Sequence, residues 1–293
     1  MSSAKSQDVI AKSQDVIGVI LLCAYVVSFS AFGWLIWRNA RMPSLFDRQV
    51  LHLSVAGTLY ILVPNTFLIV CSSVDVPKCC DWYIGMVHFF EIVSALIELH
   101  IAVGLAAAMY KHVKFRRLLR RGLPLVWFLG GVIAVADVRS STIEVDNFVA
   151  LTHCGNRSPV HAVCLTACFV VCLCTYVVSL FRSCAAAGET TMLRSAERAV
   201  CFPLAFFVTY GPLVVYNLTK EDRKWNRIIS DVAFVLVNLN GFATACVCRA
   251  LHMSRLRGFP VTFILTSTVE PGSIARCSHE GQSPGVSILR PTP

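Results

Sequence analysis

The chain has 293 residues, of which 56% are hydrophobic and 15% charged, and its mean hydropathy is +0.65. A soluble domain of this size does not need so much apolar surface, whereas membrane-spanning helices do, because each takes about 20 largely apolar residues. The formal charge of +9 lies between apolar runs, where it acts as a topology signal, and this excludes a basic nucleic-acid-binding domain. The composition therefore predicts an integral membrane protein.

Seven apolar runs along the chain are long enough to cross a bilayer as helices. They predict an all-α integral membrane protein with the fold class of a seven-transmembrane helix bundle, covering residues 17–250. The predicted helices occupy residues 17–37, 50–71, 82–110, 123–138, 160–181, 199–218 and 228–250.

Polar segments flank the predicted bundle on both sides. Residues 4–10 recur as residues 11–17, and we interpret the segment 1–16 as a short, disorder-prone arm. Residues 251–269 begin with a mixture of Arg and apolar residues, which is typical of a short helix lying along the inner membrane surface. Residues 270–293 are rich in Pro, Gly and Ser, and this composition predicts a disordered tail.

Basic residues between the apolar runs predict the orientation of the bundle. Cytoplasmic loops carry an excess of Lys and Arg, and the rule is strongest for short loops. With the N-terminus outside, most of the 26 Lys and Arg fall in inner segments. The most basic of these segments, residues 111–121, contains Lys111, Lys114, Arg116, Arg117, Arg120 and Arg121. We therefore predict an extracellular arm, a cytoplasmic basic loop over residues 111–121 and a cytoplasmic tail.

The predicted extracellular side contains a glycosylation signal and three loop cysteines. A sequon in the long loop between helices 4 and 5 predicts glycosylation at Asn156. Cys79 and Cys80 stand at the start of helix 3, and Cys154 lies in the same long loop. A disulfide from Cys154 to Cys80, in preference to Cys79, would hold this loop over the bundle mouth in an oxidising compartment. The alternative is that all three are free thiols.

Two carboxylates lie inside predicted helix 3. Glu91 and Glu98 are seven residues apart, which puts them on one helix face about 10 Å apart along the axis. An ionisable residue in a spanning segment is costly and usually faces the bundle interior. One interpretation is an inward polar stripe, with His88 and Glu91 near a ligand and Glu98 acting as a switch. The other is a buried hydrogen-bond network between helices, for example with His52 or Asn65 of helix 2.

Predicted helix 6 contains Pro203 and Pro212. A proline removes a backbone hydrogen bond and clashes with the preceding turn, so it kinks a helix. Spanning helices tolerate proline routinely. A kinked helix can nevertheless act as a lever in a bundle with two packings, and both prolines are therefore switch candidates.

Helices 6 and 7 resemble those of a known receptor family. Residues 202–212 read FPLAFFVTYGP, with an aromatic residue two positions before a proline, and residues 238–242 read NLNGF. With seven helices, an outside N-terminus and a basic second inner loop, the chain resembles G-protein-coupled receptors, and most closely the cyclic-AMP-receptor-like family of slime moulds and other protists. The chain departs from that family after NLNGF, where Ala243 and Thr244 stand in place of Asn. It also lacks the Asp-Arg-Tyr triplet of rhodopsin-like receptors.

This resemblance implies a receptor of the plasma membrane that senses an extracellular ligand and couples to a heterotrimeric G protein, without a cofactor. His88 and Glu91 would line the ligand pocket, and Tyr210 would be an aromatic switch beneath it. Asn238 and Asn240 would be further switch residues in helix 7. The basic loop would border the G protein.

Two other function classes compete with the receptor. A proton or cation transporter or channel would use Glu91 and Glu98 as its path, although the internal symmetry of many transporters is not visible. An intramembrane zinc enzyme needs several His and carboxylates from different helices near one face. The histidines of the predicted helices form no recognisable motif, so the sequence predicts no catalytic residue and no metal site.

Overall fold

Eight helices and two short strands make up the part of the chain that the computed structural model describes, residues 2–42, 44–71, 76–110, 112–140, 142–144, 155–185, 190–219 and 223–257. The helices are α1 (Ser2–Asn39), α2 (Leu45–Cys71), α3 (Val76–Met109), α4 (Val113–Ser140), α5 (Pro159–Ala185), α6 (Thr190–Leu218), α7 (Arg223–Asn238) and α8 (Asn240–Arg257). Between α4 and α5, strands β1 (Thr142–Glu144) and β2 (Gly155–Arg157) pair in antiparallel fashion.

Helices α1 to α6 are each long and apolar enough to cross a membrane. Their apolar spans are Val16–Asn39, Leu45–Phe67, Trp82–Met109, Val113–Ser140, Pro159–Ser179 and Cys201–Leu218. Helices α7 and α8 meet the same criterion together, as a pair bent by 46° at a break, and they make a seventh span if the pair crosses as one. The prediction of an all-helical, multi-pass membrane bundle is confirmed at this level.

Helix α3 occupies the centre of the bundle. Its apolar span is 78% buried, whereas the spans of the other five long helices are 17–39% buried. It packs against α2, α4, α5 and α6, while α7 and α8 contact both α1 and α6 and so close the ring. The outer helices expose large apolar side chains such as Phe128 of α4 and Val163 of α5, as expected where a helix faces lipid.

A close three-helix contact surrounds Phe32 of α1, whose ring is buried between α2 and α8. A Cβ atom placed on Gly57 of α2 would lie 2.1 Å from the ring atom Cζ of Phe32, and one placed on Gly241 of α8 would lie 2.7 Å from the ring. Only glycine leaves room for this ring at both positions. Small residues of this kind let spanning helices approach closely, because packing and not hydrophobicity drives their association in lipid.

The structure differs from the prediction at the N-terminus. Helix α1 begins at Ser2, so the duplicated heptad forms the first turns of the helix and not a disordered arm before it. Residues 2–17 contain neither Gly nor Pro, and nothing in the segment interrupts a helix that the apolar run continues.

A second difference concerns the basic loop. Helix α4 begins at Val113, ten residues before the predicted start, so the described part of this segment is helical from Val113 onward. Four exposed Arg and Lys114 lie on the first turns of α4, and only residues 110–112 separate α3 from α4. The prediction placed the helix end at the apolar boundary, but Lys and Arg are good helix formers and carry the helix past it.

The end of the bundle differs from the prediction in two ways. Predicted helix 7 is broken at Leu239, which separates α7 from α8. Helix α8 then continues without interruption to Arg257, so residues 251–257 belong to the helix that begins at Asn240, while the rest of the predicted surface helix and the predicted tail lie outside the described residues. Gly258 and Pro260 are the first helix-breaking residues after Gly241, which explains why the helix runs on.

Candidate functional site

Four ionisable side chains from three helices meet at one end of the bundle. The end at which α3 begins is also the end at which α4 finishes and α5 starts. His88 and Glu91 lie on α3, Asp137 on the last turn of α4, and His161 on the first turn of α5. We name these four residues the His–carboxylate cluster. Strand β2 ends at Arg157, and the next residue, Ser158, donates a hydrogen bond to Asp137 of this cluster.

Asp137 is the fully buried hub of this cluster. Its Oδ2 lies 2.6 Å from Nδ1 of His88. Its Oδ1 accepts a hydrogen bond of 2.9 Å from the backbone N–H of His161 and another from the Ser158 hydroxyl. One carboxylate therefore fixes the His88 ring on α3 and caps the first turn of α5.

Glu91 joins the cluster to α2. Its Oε2 lies 3.0 Å from Nε2 of His161, and its Oε1 accepts a hydrogen bond of 3.2 Å from the Tyr60 hydroxyl. The rings of His88 and His161 stack, with centroids 3.9 Å apart and planes 10° apart. Glu91 is 4% exposed, whereas the His88 side chain keeps 15% of its surface exposed and forms the accessible edge of the cluster.

A small cavity extends from Glu91 into the centre of the bundle. Its volume is about 20 Å³, enough for one water molecule. Its polar lining is contributed by α2, α3, α6, α7 and α8 through Tyr60, Glu91, Ser94, Tyr210, Asn238 and Asn240. The cavity therefore connects Glu91 to Tyr210, the predicted aromatic switch on α6, and to the break between α7 and α8.

The two asparagines on either side of that break are both buried. Nδ2 of Asn238 donates to the Phe234 carbonyl at 2.7 Å, and the Asn238 carbonyl accepts a hydrogen bond from Ser28 of α1. Oδ1 of Asn240 accepts a hydrogen bond of 3.4 Å from Thr209 of α6. The break is thus tied to both of its neighbouring helices.

Glu98, two turns beyond Glu91 on α3, does not join the cluster. Its side chain is 2% exposed, and its Oε2 has no hydrogen-bond partner among the described residues. The Tyr176 hydroxyl on α5 is also buried and without a partner in this part of the chain. The predicted polar stripe is therefore divided into a connected part at Glu91 and an unpartnered part at Glu98.

The predicted partners of the stripe on helix 2 form other contacts. Nδ1 of His52 accepts a hydrogen bond of 3.0 Å from the indole N–H of Trp127, and the Asn65 amide donates to the Ile61 carbonyl at 2.5 Å. The hydrogen-bond interpretation named the wrong residues on α2, because Tyr60 is the residue that reaches Glu91.

The remaining predicted site residues lie apart from the cluster. Pro203 and Pro212 are both inside α6, which continues as one helix through them. Lys114, Arg116, Arg117, Arg120 and Arg121 are exposed on α4, while Lys111 lies outside the described residues. Cys154 lies outside the described residues, as do the side chains of Cys80 and Asn156, so the disulfide and the glycosylation site remain predictions.

Asp137 is one of three site residues that the sequence analysis missed, the others being Tyr60 and His161. Asp137 falls near the end of predicted helix 4, and the reasoning applied to Glu91 and Glu98, that an ionisable residue inside a span has a buried partner, applies to it equally. The convergence of His88 with His161 has no comparable signal, because it depends on how α3 and α5 are rotated against each other. His88, Glu91 and His161 each offer one metal-ligating atom, and these atoms lie within 4.8 Å of one another.

Comparisons with known proteins leave the family open. No protein-family model matches the chain, and a search of curated proteins finds no match.

Proposed function

We propose that this chain is a G-protein-coupled-receptor-like signal transducer of the plasma membrane, oriented with its N-terminus outside. A ligand at the end of the bundle where α3 begins would be sensed by the His–carboxylate cluster. The opposite end, with the basic first turns of α4, would couple to a heterotrimeric G protein.

The observation that carries this proposal is the double role of Glu91. Through Oε2 it faces His161 in the cluster, and it also lines the cavity that Tyr210, Asn238 and Asn240 share. A change at the cluster therefore has a direct physical route to α6 and to the α7–α8 break. Residues 202–212 on α6 and residues 238–242 at the α7–α8 break resemble the cyclic-AMP-receptor-like family, and this resemblance supports a switch role for both regions.

Signal transfer in such a bundle requires two packings and a ligand that binds one of them better. A ligand that displaced His161 or Tyr60 from Glu91 would alter the lining of the cavity beside Tyr210. Pro203 and Pro212 leave two backbone carbonyls of α6 without their usual helical N–H partner, which lowers the cost of bending that helix. The break at Leu239, between Asn238 and Asn240, would let α8 move against α7.

The coupling surface is proposed on the exposed basic face of α4. Its first turns carry Arg116, Arg117, Arg120 and Arg121, with exposed Phe115 before them and exposed Leu118 between them. Mixed basic and apolar surface of this kind suits a protein partner at the membrane boundary.

Nucleotide exchange on G proteins tests the proposal. Membranes containing the wild type would be compared with a variant in which Arg116, Arg117, Arg120 and Arg121 are all Ala, at equal surface expression. We expect basal or ligand-stimulated exchange in the wild type and its loss in the variant. The control replaces Arg139, which is exposed on the last turn of α4 at the opposite end of the bundle, with Ala and retains exchange. No exchange by the wild type with any member of a broad G-protein panel, under a broad ligand library, contradicts the proposal.

A proton or cation transporter is the second candidate, and Glu98 is the observation that favours it. A carboxylate buried inside a spanning helix is a feature of ion paths through membranes, and Oε2 of Glu98 has no partner among the described residues. Flux into proteoliposomes that is abolished by Glu91→Gln and by Glu98→Gln would support this candidate over the receptor.

A further inference from the structure

We propose that His88, Glu91 and His161 bind a divalent transition metal, with Zn²⁺ as the preferred ion, and that Asp137 is the residue that positions His88 for it. This metal site goes beyond the proposed receptor function and does not depend on it. The three ligand residues lie on α3 and α5, and the positioning residue lies on α4.

The chemistry of the donor atoms points to this class of ion. Two imidazoles and one carboxylate form a ligand set that Zn²⁺ accepts readily, whereas Mg²⁺ and Ca²⁺ prefer oxygen atoms alone. Imidazole nitrogen also suits Cu²⁺ and Ni²⁺, so selectivity would come from geometry and metal supply. Three protein ligands leave one coordination position of a tetrahedral ion open, and water from the neighbouring cavity can fill it.

Contacts outside the three ligands leave the right atoms free. Nδ1 of His88 is engaged by Asp137 at 2.6 Å, so Nε2 is the nitrogen available to a metal. A carboxylate on the second nitrogen is the usual support of a metal-binding histidine, because it fixes the tautomer and the ring orientation. Tyr60 engages Oε1 of Glu91 in the same way, which leaves Oε2 facing Nε2 of His161 at 3.0 Å.

Coordination of one ion requires the two stacked imidazole rings to rotate. Zn–N and Zn–O bonds of about 2.0–2.2 Å put tetrahedral ligand atoms about 3.3–3.6 Å apart. Oε2 of Glu91 and Nε2 of His161, which lie 3.0 Å apart, are slightly closer than this spacing. One ligand atom from each of the three residues lies within 4.8 Å of the others, and rotation of the His88 and His161 rings out of their stack would turn an in-plane nitrogen of each ring toward one ion.

Charge balance supports a cation at this position. Glu91 and Asp137 place two carboxyl groups in a buried region, and no Lys or Arg forms an ion pair with either of them among the described residues. Buried charges require compensation, and a divalent ion supplies it in full. The partly exposed edge of His88 provides a route of entry.

Metal binding to the purified full-length protein in detergent tests the inference. After treatment with a chelator, removal of the chelator and addition of Zn²⁺, we expect the wild type to retain about one equivalent of Zn²⁺ through gel filtration. Co²⁺ substituted at the site should give the intense visible absorption of a tetrahedral ion without the near-ultraviolet band of a thiolate ligand. His88→Ala and His161→Ala should each weaken Zn²⁺ binding at least 100-fold. Asp137→Asn should weaken it about 10- to 100-fold, as expected for an outer-shell partner.

Two controls separate this site from other metal-binding groups. His52→Ala removes a histidine of α2 outside the cluster and should leave Zn²⁺ binding unchanged. A Cys164→Ser/Cys168→Ser/Cys172→Ser variant should also retain the ion, because the thiols of α5 are not ligands. Zn²⁺ should raise the melting temperature of the wild type and of both controls.

The wild type alone can overturn the inference. Absence of both Zn²⁺ retention and the tetrahedral Co²⁺ spectrum refutes it, whatever the variants do. A thiolate band, or loss of binding in the triple serine variant, moves the ion to the cysteines and also refutes it. Zn²⁺ binding without nucleotide exchange would instead leave the metal site standing and contradict only the receptor proposal.

Discussion

Glu91 and Glu98 lie two turns apart on α3, yet their surroundings are opposite in kind. Both are almost completely buried. Glu91 has His161 at one oxygen and Tyr60 at the other, whereas Oε2 of Glu98 has no partner in the described chain. A buried carboxylate with partners ties helices together, while one without them costs stability. The contacts of Glu91 should therefore stabilise the folded bundle, whereas the unpartnered carboxylate oxygen of Glu98 should lower its stability.

The largest expected effect comes from breaking the connected end at its hub. Asp137→Ala leaves the Ser158 hydroxyl, the His161 backbone N–H and the His88 ring without their common acceptor. Removing one partner from a buried ionic group typically costs about 3–5 kcal/mol, and we expect a loss at the lower end of this range. Thermal unfolding in detergent, followed by circular dichroism, measures it.

Asp231→Ala is the matched control for this experiment. Asp231 lies on α7 and is only half-buried. Its replacement should change stability by less than about 0.5 kcal/mol. Equal losses in the two variants would show that Asp137 is no hub.

One methionine substitution, made at both carboxylates of α3, sharpens the comparison most directly. Glu91→Met should destabilise the bundle by about 2–3 kcal/mol, because it removes the acceptor of the Tyr60 hydroxyl and the carboxylate that faces Nε2 of His161. Glu98→Met should stabilise it by about 1 kcal/mol, because an unpartnered buried oxygen is replaced by an apolar group of similar volume. Opposite signs in the same unfolding assay are the prediction, and equal signs contradict it.

A smaller effect is expected from removing one hydrogen bond. Tyr60→Phe deletes only the hydroxyl that donates to Glu91, which should cost about 1.5 kcal/mol because the acceptor is ionised. Tyr216→Phe on α6 serves as the control, since that tyrosine packs at the edge of the core. If both variants melt together with the wild type, the bond to Glu91 contributes nothing.

The smallest effect is the interaction between the two regions. Changes at residues without shared partners usually add within about 0.3–0.5 kcal/mol. The double variant Tyr60→Phe/Glu98→Met should therefore unfold with the sum of the two single changes. A coupling energy above about 1 kcal/mol would mean that the two regions of α3 form one network.

Much of the helical architecture could be predicted from apolar runs, because burial in lipid demands about 20 such residues in a row. The helix ends could not, because polar stretches such as residues 2–16 and 113–122 extend helices beyond the apolar part. The break at Leu239 carries only a faint signal in its flanking Asn238, Asn240 and Gly241, residues of low helix propensity that tertiary contacts often override.

The candidate site was predictable in part for the same reason. Burying an ionisable residue in a spanning helix is costly, so such a residue indicates a buried partner. Both Glu91 and Asp137 can be identified in this way from their positions inside predicted spans. Which partner each one meets depends on helix rotation and on the order of helices around α3. Neither is encoded in the spacing along one helix, and so Tyr60 and His161 became visible only in the folded bundle.

Phe32 and its two glycines have a consequence for how this protein can change over generations. The ring of Phe32 occupies the space that a side chain at Gly57 or Gly241 would need, so three positions on α1, α2 and α8 constrain one another. A larger residue at either glycine becomes tolerable only after the aromatic ring has been replaced by something smaller. We expect relatives to exchange these three positions together, and Phe32→Ala to rescue Gly57→Ala, which makes the trio a means of recognising this fold in diverged sequences.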